Sequence, residues 1–305
     1  MAKYLDPKAD VTFKKVFGEH KNLLISFLNA LLPLEEGKMV ESIEYMPPEL
    51  VPDTPDRKNS IVDVRCMETG GRQFIVEMQL SWTTEFKQRV LFNAAKAYVR
   101  QLGKSRRYMF LQPVYSLNLV NAVFEPDMEG CYHHYRMVHY LDSQKVIDGL
   151  QLVFVELPKF TPHSFSEKKA TALWLRYLTE INEQTAAAPR ELLEDPDVSE
   201  ALRIVEESAY SDAEMEAYDR FWDAVRREAS FVGALDDAKA ELAETRALIA
   251  EETARANAET ARADAAEAQL LHVKLDTARK MKAKGFPADD ISELTGLTAE
   301  QIASL

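Results

Sequence analysis

The 305-residue sequence predicts a mixed α/β domain, a sheet with helices on at least one face, followed by a largely helical region. Three observations carry this. Residues 61–79 read as two strands folded back about Gly70-Gly71, strand-like segments continue to about residue 160, and beyond that apolar residues return at helical spacing.

Along the chain, residues 13–32 place Phe13, Val16, Phe17, Leu23, Leu24, Phe27, Leu28, Leu31 and Leu32 on one helical side, and Pro33 stops the helix. Residues 40–46 alternate as a strand that Pro47-Pro48 ends, and residues 50–60 form a polar loop. A helix is expected over 84–102, closed by Gly103. Strands follow over 113–124, 132–140 and 152–157, the first two separated by Glu125-Pro126-Asp127.

The ribbon between these parts has a testable register. With Thr69-Gly70-Gly71 as a three-residue turn, residues whose numbers sum to 140 oppose each other. Val62 then faces Met78, Val64 faces Val76 and Cys66 faces Phe74, an apolar side. The other side pairs Asp63 with Glu77, Ile61 with Gln79 and Arg65 with Ile75. Two carboxylates directly opposite each other repel unless something positive lies between them, and a divalent cation is the natural occupant.

Ser164 with Glu167, and Ser211 with Glu214, have capping-box spacing ahead of two apolar series: Leu173, Trp174, Tyr177, Leu178, Ile181, and Met215, Tyr218, Phe221, Trp222, Val225. A small acidic bundle is expected there. Leu235, Leu242, Ile249, Ala256, Ala263 and Leu270 recur every seven residues, while the companion column, Ala238 to Val273, is apolar only at its ends. This is a long helix with half a coiled-coil seam, and a homodimer through residues 235–273 and a solvated single helix both remain open. Residues 285–305 form two short helices spaced like the start of a helix-turn-helix, though the second carries Glu300 and no Arg or Lys.

The net charge of −13 is unevenly placed. Residues 191–237 hold 15 acidic and 4 basic side chains, whereas residues 86–107 hold seven basic ones (Lys87, Arg89, Lys96, Arg100, Lys104, Arg106, Arg107) and no acidic one. Such a local basic helix can contact phosphates despite the overall sign. Two cysteines, Cys66 and Cys131, are too few for a disulfide framework, and no signal-peptide run or spanning apolar stretch is present, so a reduced, cytoplasmic protein outside the membrane is expected. Cys131, His133, His134 and His139 fit no usual closed zinc site and read as core and half-exposed sheet residues. No Gly-rich phosphate loop, Ser-His-Asp arrangement or dinucleotide fingerprint occurs.

Hydrolysing a phosphodiester needs a cation to neutralise developing charge and activate water, and Mg²⁺ is usually held by one or two carboxylates. Asp63 and Glu77 supply that minimum. Glu19 would add a third ligand if its helix packs over that face, and Gln79 can orient water or a phosphate oxygen.

The pieces VTFKKVFGEHKNLLISFLNALL, IVDVR, FIVEMQ, RVLFNAAKAYVRQLGKSRRY and FVELPKF together resemble the PD-(D/E)XK nuclease superfamily, and more closely its transposase-like branch with the recombination-promoting nucleases (Rpn). The tail KGFPADDISELTGLTAEQI is also similar to one found in that group. The resemblance covers about the first 160 and the last 25 residues, and implies a restriction-endonuclease-like core, a mixed sheet flanked by helices. It further implies Asp63 and Glu77 as catalytic metal ligands, Gln79 as the third catalytic position, the Met78 carbonyl as an added ligand, Glu19 as the helix acid, and Mg²⁺ or Mn²⁺ as cofactor.

Two departures stand out. Val62 replaces the proline before the aspartate, and Gln79 replaces the lysine, as it does in the Rpn-like branch. Lys58, Arg65 and Arg89 are the cations that could restore the missing charge, and the sequence does not choose among them. Lys58, Arg89, Lys96, Arg100 and Arg107 are the expected DNA contacts. The expected organisation is a nuclease-like domain (1–160), an acidic helical bundle (161–233), a long helix (234–281) and a helix-turn-helix-like tail (282–305). The expected function is an Mg²⁺-dependent DNA endonuclease linked to recombination, mobile elements or phage defence. A catalytically silent relative acting as an oligomerising DNA-binding or regulatory protein is the alternative, and a partner-binding module is a third.

Overall fold

The computed structural model describes residues 4–50, 60–102, 107–162 and 169–305. Lys58, Lys104, Arg106 and the Ser164/Glu167 cap lie outside them. The chain divides into two compact units, Met1–Arg227 and Glu228–Leu305.

The first unit begins with two helices where one was expected: α1 (Asp10–Glu19) and α2 (Lys21–Leu31), broken at His20 in extended backbone. Gly18 weakens the end of the first helix, and the His20 ring folds back on its last turn, 2.9 Å from the Lys15 carbonyl. The apolar face survives the break, because Phe13, Phe17, Leu24, Phe27 and Leu28 are all buried together.

The sheet has six strands in the order β1-β4-β5-β6-β8-β7. They are β1 (Ile43–Tyr45), β4 (Val64–Glu68), β5 (Gln73–Gln79), β6 (Val114–Val120), β7 (Tyr132–His139) and β8 (Asp142–Glu156), while β2 (Glu49–Leu50) and β3 (Ser60–Ile61) pair separately. β5, β6 and β8 run parallel and the other pairings are antiparallel. α3 (Phe86–Val99) crosses from β5 to β6. Strand residues alternate between two cores, as the pleat requires. Phe74, Val76, Leu117, Leu119, Val153 and Val155 pack with α1 and α2, whereas Ile75, Val114, Val120 and Phe154 face the α3 side.

The ribbon register holds over its observed ladder: Val64 pairs with Val76, Arg65 with Ile75, Cys66 with Phe74 and Met67 with Gln73. Gly71 closes the turn at φ +89°, a conformation that side-chain-bearing residues resist. The ladder stops at Val64. Asp63 sits at a bend, Ile61 pairs with Glu49, and Val62 packs with Ile75 rather than opposite Met78. The expected Asp63–Glu77 and Ile61–Gln79 ladder pairs are therefore replaced by a strand that turns away.

β8 starts ten residues before the expected strand, because Asp142–Gly149 is polar and pairs only with β7 beyond the covered sheet. His133, expected to be half exposed, is buried and bonds Glu156 at 2.8 Å. Burial alone would raise the Glu156 carboxyl. Lys159 at 2.6 Å, the N–H groups of Glu125 and Phe124, and His133 outweigh it and hold the pKa at about 2. This fully partnered carboxylate ties the end of β8 to the loop after β6.

The helices after residue 160 do not form a bundle of their own. α4 (Lys169–Glu180), α5 (Arg190–Glu194) and α6 (Pro196–Ile204) bury Trp174, Tyr177, Leu178, Leu192, Val198 and Leu202 in the same core as the sheet. Trp174 meets the Phe17 and Phe27 rings at 5.6 and 5.4 Å, contacts worth about 1 kcal/mol each beyond their buried area.

α7 (Asp212–Ala283) is one helix of 72 residues, opened by the expected Ser211/Glu214 capping box. In the second unit, α8 (Ala288–Thr295) and α9 (Ala299–Ala303) fold back on the end of α7 around Ala278, Ile291, Leu297 and Ile302. Among the described residues no helix is long and apolar enough to cross a membrane.

Candidate active site

At the carboxyl end of β5, three consecutive residues point in alternating directions. Glu77 and Gln79 face α3, and Met78 packs toward the large core. β4 has already left the ladder here, so the Met78 N–H finds the Asp63 carboxylate instead, at 2.7 Å from Oδ2. A strand residue sends its N–H and C=O toward the same neighbour, which directs the Met78 carbonyl into the gap that Asp63 borders. The bend thus brings the aspartate beside the strand, where a regular ladder would have set it opposite.

Glu77 is buried, and α3 supplies its partners. Asn93 donates to Glu77 Oε1 at 3.0 Å, and Arg89, one turn earlier on the same helix face, places Nη2 3.8 Å from Glu77 Oε2. The same Nη2 donates to Gln79 Oε1 at 2.6 Å, and Gln79 Nε2 donates to the Ser81 carbonyl at 2.7 Å. The Arg89 guanidinium rests 4.8 Å from the Phe86 ring centroid and leaves 46 % of its side chain exposed.

Burial pushes the Asp63 carboxyl up to about 6, against the lowering effect of the Met78 N–H, with Asp10 raising it further and Lys14 and Arg89 opposing. Burial likewise raises Glu77 to about 7, with Asn93 lowering it, Asp63 raising it and Arg89 lowering it. Both shifts come chiefly from the loss of water around the carboxyls, which their hydrogen bonds and Arg89 offset only in part.

Glu19 does not join this pair. The acid of α1 that acts on Asp63 is Asp10, paired with Lys14 at 2.7 Å. Glu19 is exposed at the other end of the helix, near Tyr45 and Tyr210, and nine residues of helix separate the two acids by about 13 Å.

Of the basic residues, Arg89 enters the site. Lys96 donates to the Leu50 carbonyl at 2.6 Å, Arg100 lies near Arg65, and Arg107 is exposed. Arg65 is buried and bonds Gln73 at 3.0 Å, away from the carboxylates. Asn93 went unnoticed in the sequence; an amide inside VLFNAA, four residues after an arginine, is the signal that marks it.

The donors suit a hard divalent ion, being two carboxylates and a strand carbonyl whose negative charge a cation would offset. Among the described residues no group of three or more His, Cys, Asp or Glu converges as a metal cluster, so water would complete the coordination.

A six-stranded mixed sheet flanked by helices, with an acidic pair where its second and third strands part, defines an α/β domain of the restriction-endonuclease-like kind. The chain belongs to the PD-(D/E)XK nuclease family transposases, whose family model matches residues 7–232. Comparison with curated proteins and with solved structures gave no match. The family points to a nuclease-type function on phosphodiester bonds, hence a nucleic-acid substrate, and its nucleases typically use divalent metals.

Proposed function

We propose that this protein is an Mg²⁺-dependent DNA endonuclease of the Rpn type, acting in recombination, mobile-element movement or phage defence. The observation that carries the reading is the placing of the half-buried Asp63 carboxylate beside the strand that carries the buried Glu77, with both carboxyls raised chiefly by loss of water, at the parting of β4 and β5 in a chain of this family.

Asp63, Glu77 and the Met78 carbonyl would hold the ion, with Mn²⁺ an alternative of similar coordination. When bound, such an ion activates water and neutralises charge on the phosphate. The chain's own residues orient the carboxylates: the Met78 N–H fixes Asp63, and Asn93 fixes Glu77. In the hydrolysis, a water oxygen bonds to phosphorus, the bond from phosphorus to one ester oxygen breaks, a water proton leaves to solvent, and the departing oxygen takes one up. Arg89 and Arg107 are the exposed cations offered to the DNA backbone. Two copies would associate through the uncovered α7 column.

Nicking of supercoiled plasmid in Mg²⁺ or Mn²⁺ tests this. Wild type is expected to cut, and Asp63→Ala and Glu77→Ala each to abolish cutting without loss of fold. One observation favours a silent DNA-binding protein instead: both ends of the Gln79 amide are engaged within the protein. Wild type that binds DNA but never cuts would establish that second reading.

A further inference from the structure

Gln79 stands where the superfamily's lysine would stand, yet its contacts make it a poor ligand for water or phosphate. Its Oε1 accepts from Arg89 at 2.6 Å and its Nε2 donates to the Ser81 carbonyl at 2.7 Å. The amide is stretched between a cation and the backbone, which is the geometry of a holder.

Arg89 has the opposite character. It arrives from α3 and acts on both Asp63 and Glu77. The Phe86 ring supports its guanidinium, and 46 % of its side chain remains open to solvent. With one Nη2 bond to Gln79 it has further N–H donors, since guanidinium carries five in a rigid fork suited to phosphate. Lys96 is committed to the Leu50 carbonyl, Lys14 to Asp10, and Arg65 is buried on Gln73. Lys14 also acts on Asp63 and is half exposed, so what sets Arg89 apart among these cations is that it acts on both carboxylates.

We infer that Arg89 takes over the role of the missing lysine: it contacts the scissile phosphate directly, and Gln79 is a positioning residue that aims it. The inference rests on the nuclease reading above and assigns the cation of that same site. It places the positive charge on the helix, one step removed from the strand, with β5 supplying only the bracket. A guanidinium offers N–H donors and no acceptor, so this cation serves the phosphate by donating hydrogen bonds and neutralising charge.

Two measurements test it. The first needs neither metal nor cleavage: DNA binding measured by fluorescence anisotropy in EDTA over a series of salt concentrations. Arg89→Ala is expected to flatten the dependence of log affinity on log salt by about one phosphate contact. A residue that merely braces Gln79 and Glu77 would leave the slope unchanged, and that result overturns the inference.

The second is plasmid nicking in Mg²⁺. Arg89→Ala is expected to lose about 100-fold or more in rate, and Gln79→Ala about 10-fold. The Gln79→Ala/Arg89→Ala double variant should be no slower than Arg89→Ala, because the holder has nothing left to hold. Gln79→Lys in the Arg89→Ala background should regain at least 10-fold, since it returns a cation from the strand.

Arg89→Ala cutting at the wild-type rate, or Gln79→Lys restoring nothing, would overturn the inference while the nuclease reading stands. Wild type that binds DNA without cutting would remove the nuclease reading, and the salt slope would still decide whether Arg89 touches phosphate. Wild type that neither binds nor cuts overturns both.

Discussion

Burying the carboxylate of Glu77 costs the fold stability. Its carboxyl rises from an ordinary 4.5 to about 7, first because burial strips its water and then because Asp63 adds like charge, with Asn93 and Arg89 compensating only in part. Between those values the folded chain binds more protons than the unfolded chain, so stability falls as pH rises from about 4.5 to 7. Above pH 7 the penalty is complete, and the rise corresponds to about 3 kcal/mol. Glu77→Gln keeps an oxygen for Asn93 and removes the charge, so the metal-free variant should melt above wild type at pH 8 and alongside it at pH 4. Adding Mg²⁺ at pH 8 should raise the wild-type melting temperature and leave the variant's nearly unchanged. Calorimetric or circular-dichroism melts at both pH values decide this, and a Glu77→Gln variant that melts below wild type at pH 8 would overturn the buried-charge penalty.

At the scale of elements, the legible features of the sequence were local. The register of the ribbon followed from one glycine turn and an alternation, and Val64–Val76 through Met67–Gln73 obey it. The bend at Asp63 was hidden, because it arises from tertiary competition: Ile61 pairs with Glu49 and Val62 packs with Ile75 instead of continuing the ladder. The same limit explains α1 and α2, whose shared apolar face reads as one helix although Gly18 and His20 interrupt it. It explains Glu19 as well, since spacing shows that an acid lies on the first helix but not which end meets Asp63. The Arg89–Gln79 and Asn93–Glu77 pairings join residues on different elements, which periodicity cannot see.

The heptad column of α7 is uncovered in the single chain, and the proposed pairing of two copies belongs to this element. Leu235, Leu242, Ile249 and Leu270 are 51–58 % exposed and recur every seven residues, the spacing at which a second copy would cover them. Wild type is therefore expected at twice the chain mass by light scattering, and Leu242→Asp with Ile249→Asp at the chain mass. A wild type already at the chain mass would show that the column stays solvated.

On the scale of the whole molecule, two independent boundaries nearly coincide. The family match ends at residue 232 and the first compact unit ends at Arg227, both well past the expected boundary at 160. The reason is physical: α4 and α6 fill the same core as the sheet, and the start of α7 places Tyr218 against Leu5 and Ala9. A cut at residue 160 would expose Phe17, Phe27 and the neighbouring core face, and should leave an insoluble fragment. Residues 1–232 contain all six strands of the sheet, the helices of both flanking layers and the Asp63, Glu77 and Arg89 side chains. That fragment should melt in one cooperative transition and nick plasmid in Mg²⁺ within about 10-fold of the intact chain in its chemical step, because none of the groups positioned at the phosphate has been removed. If it folds cooperatively but cuts more than 100-fold slower at saturating DNA, then the second unit takes part in the chemistry and the site as described is incomplete.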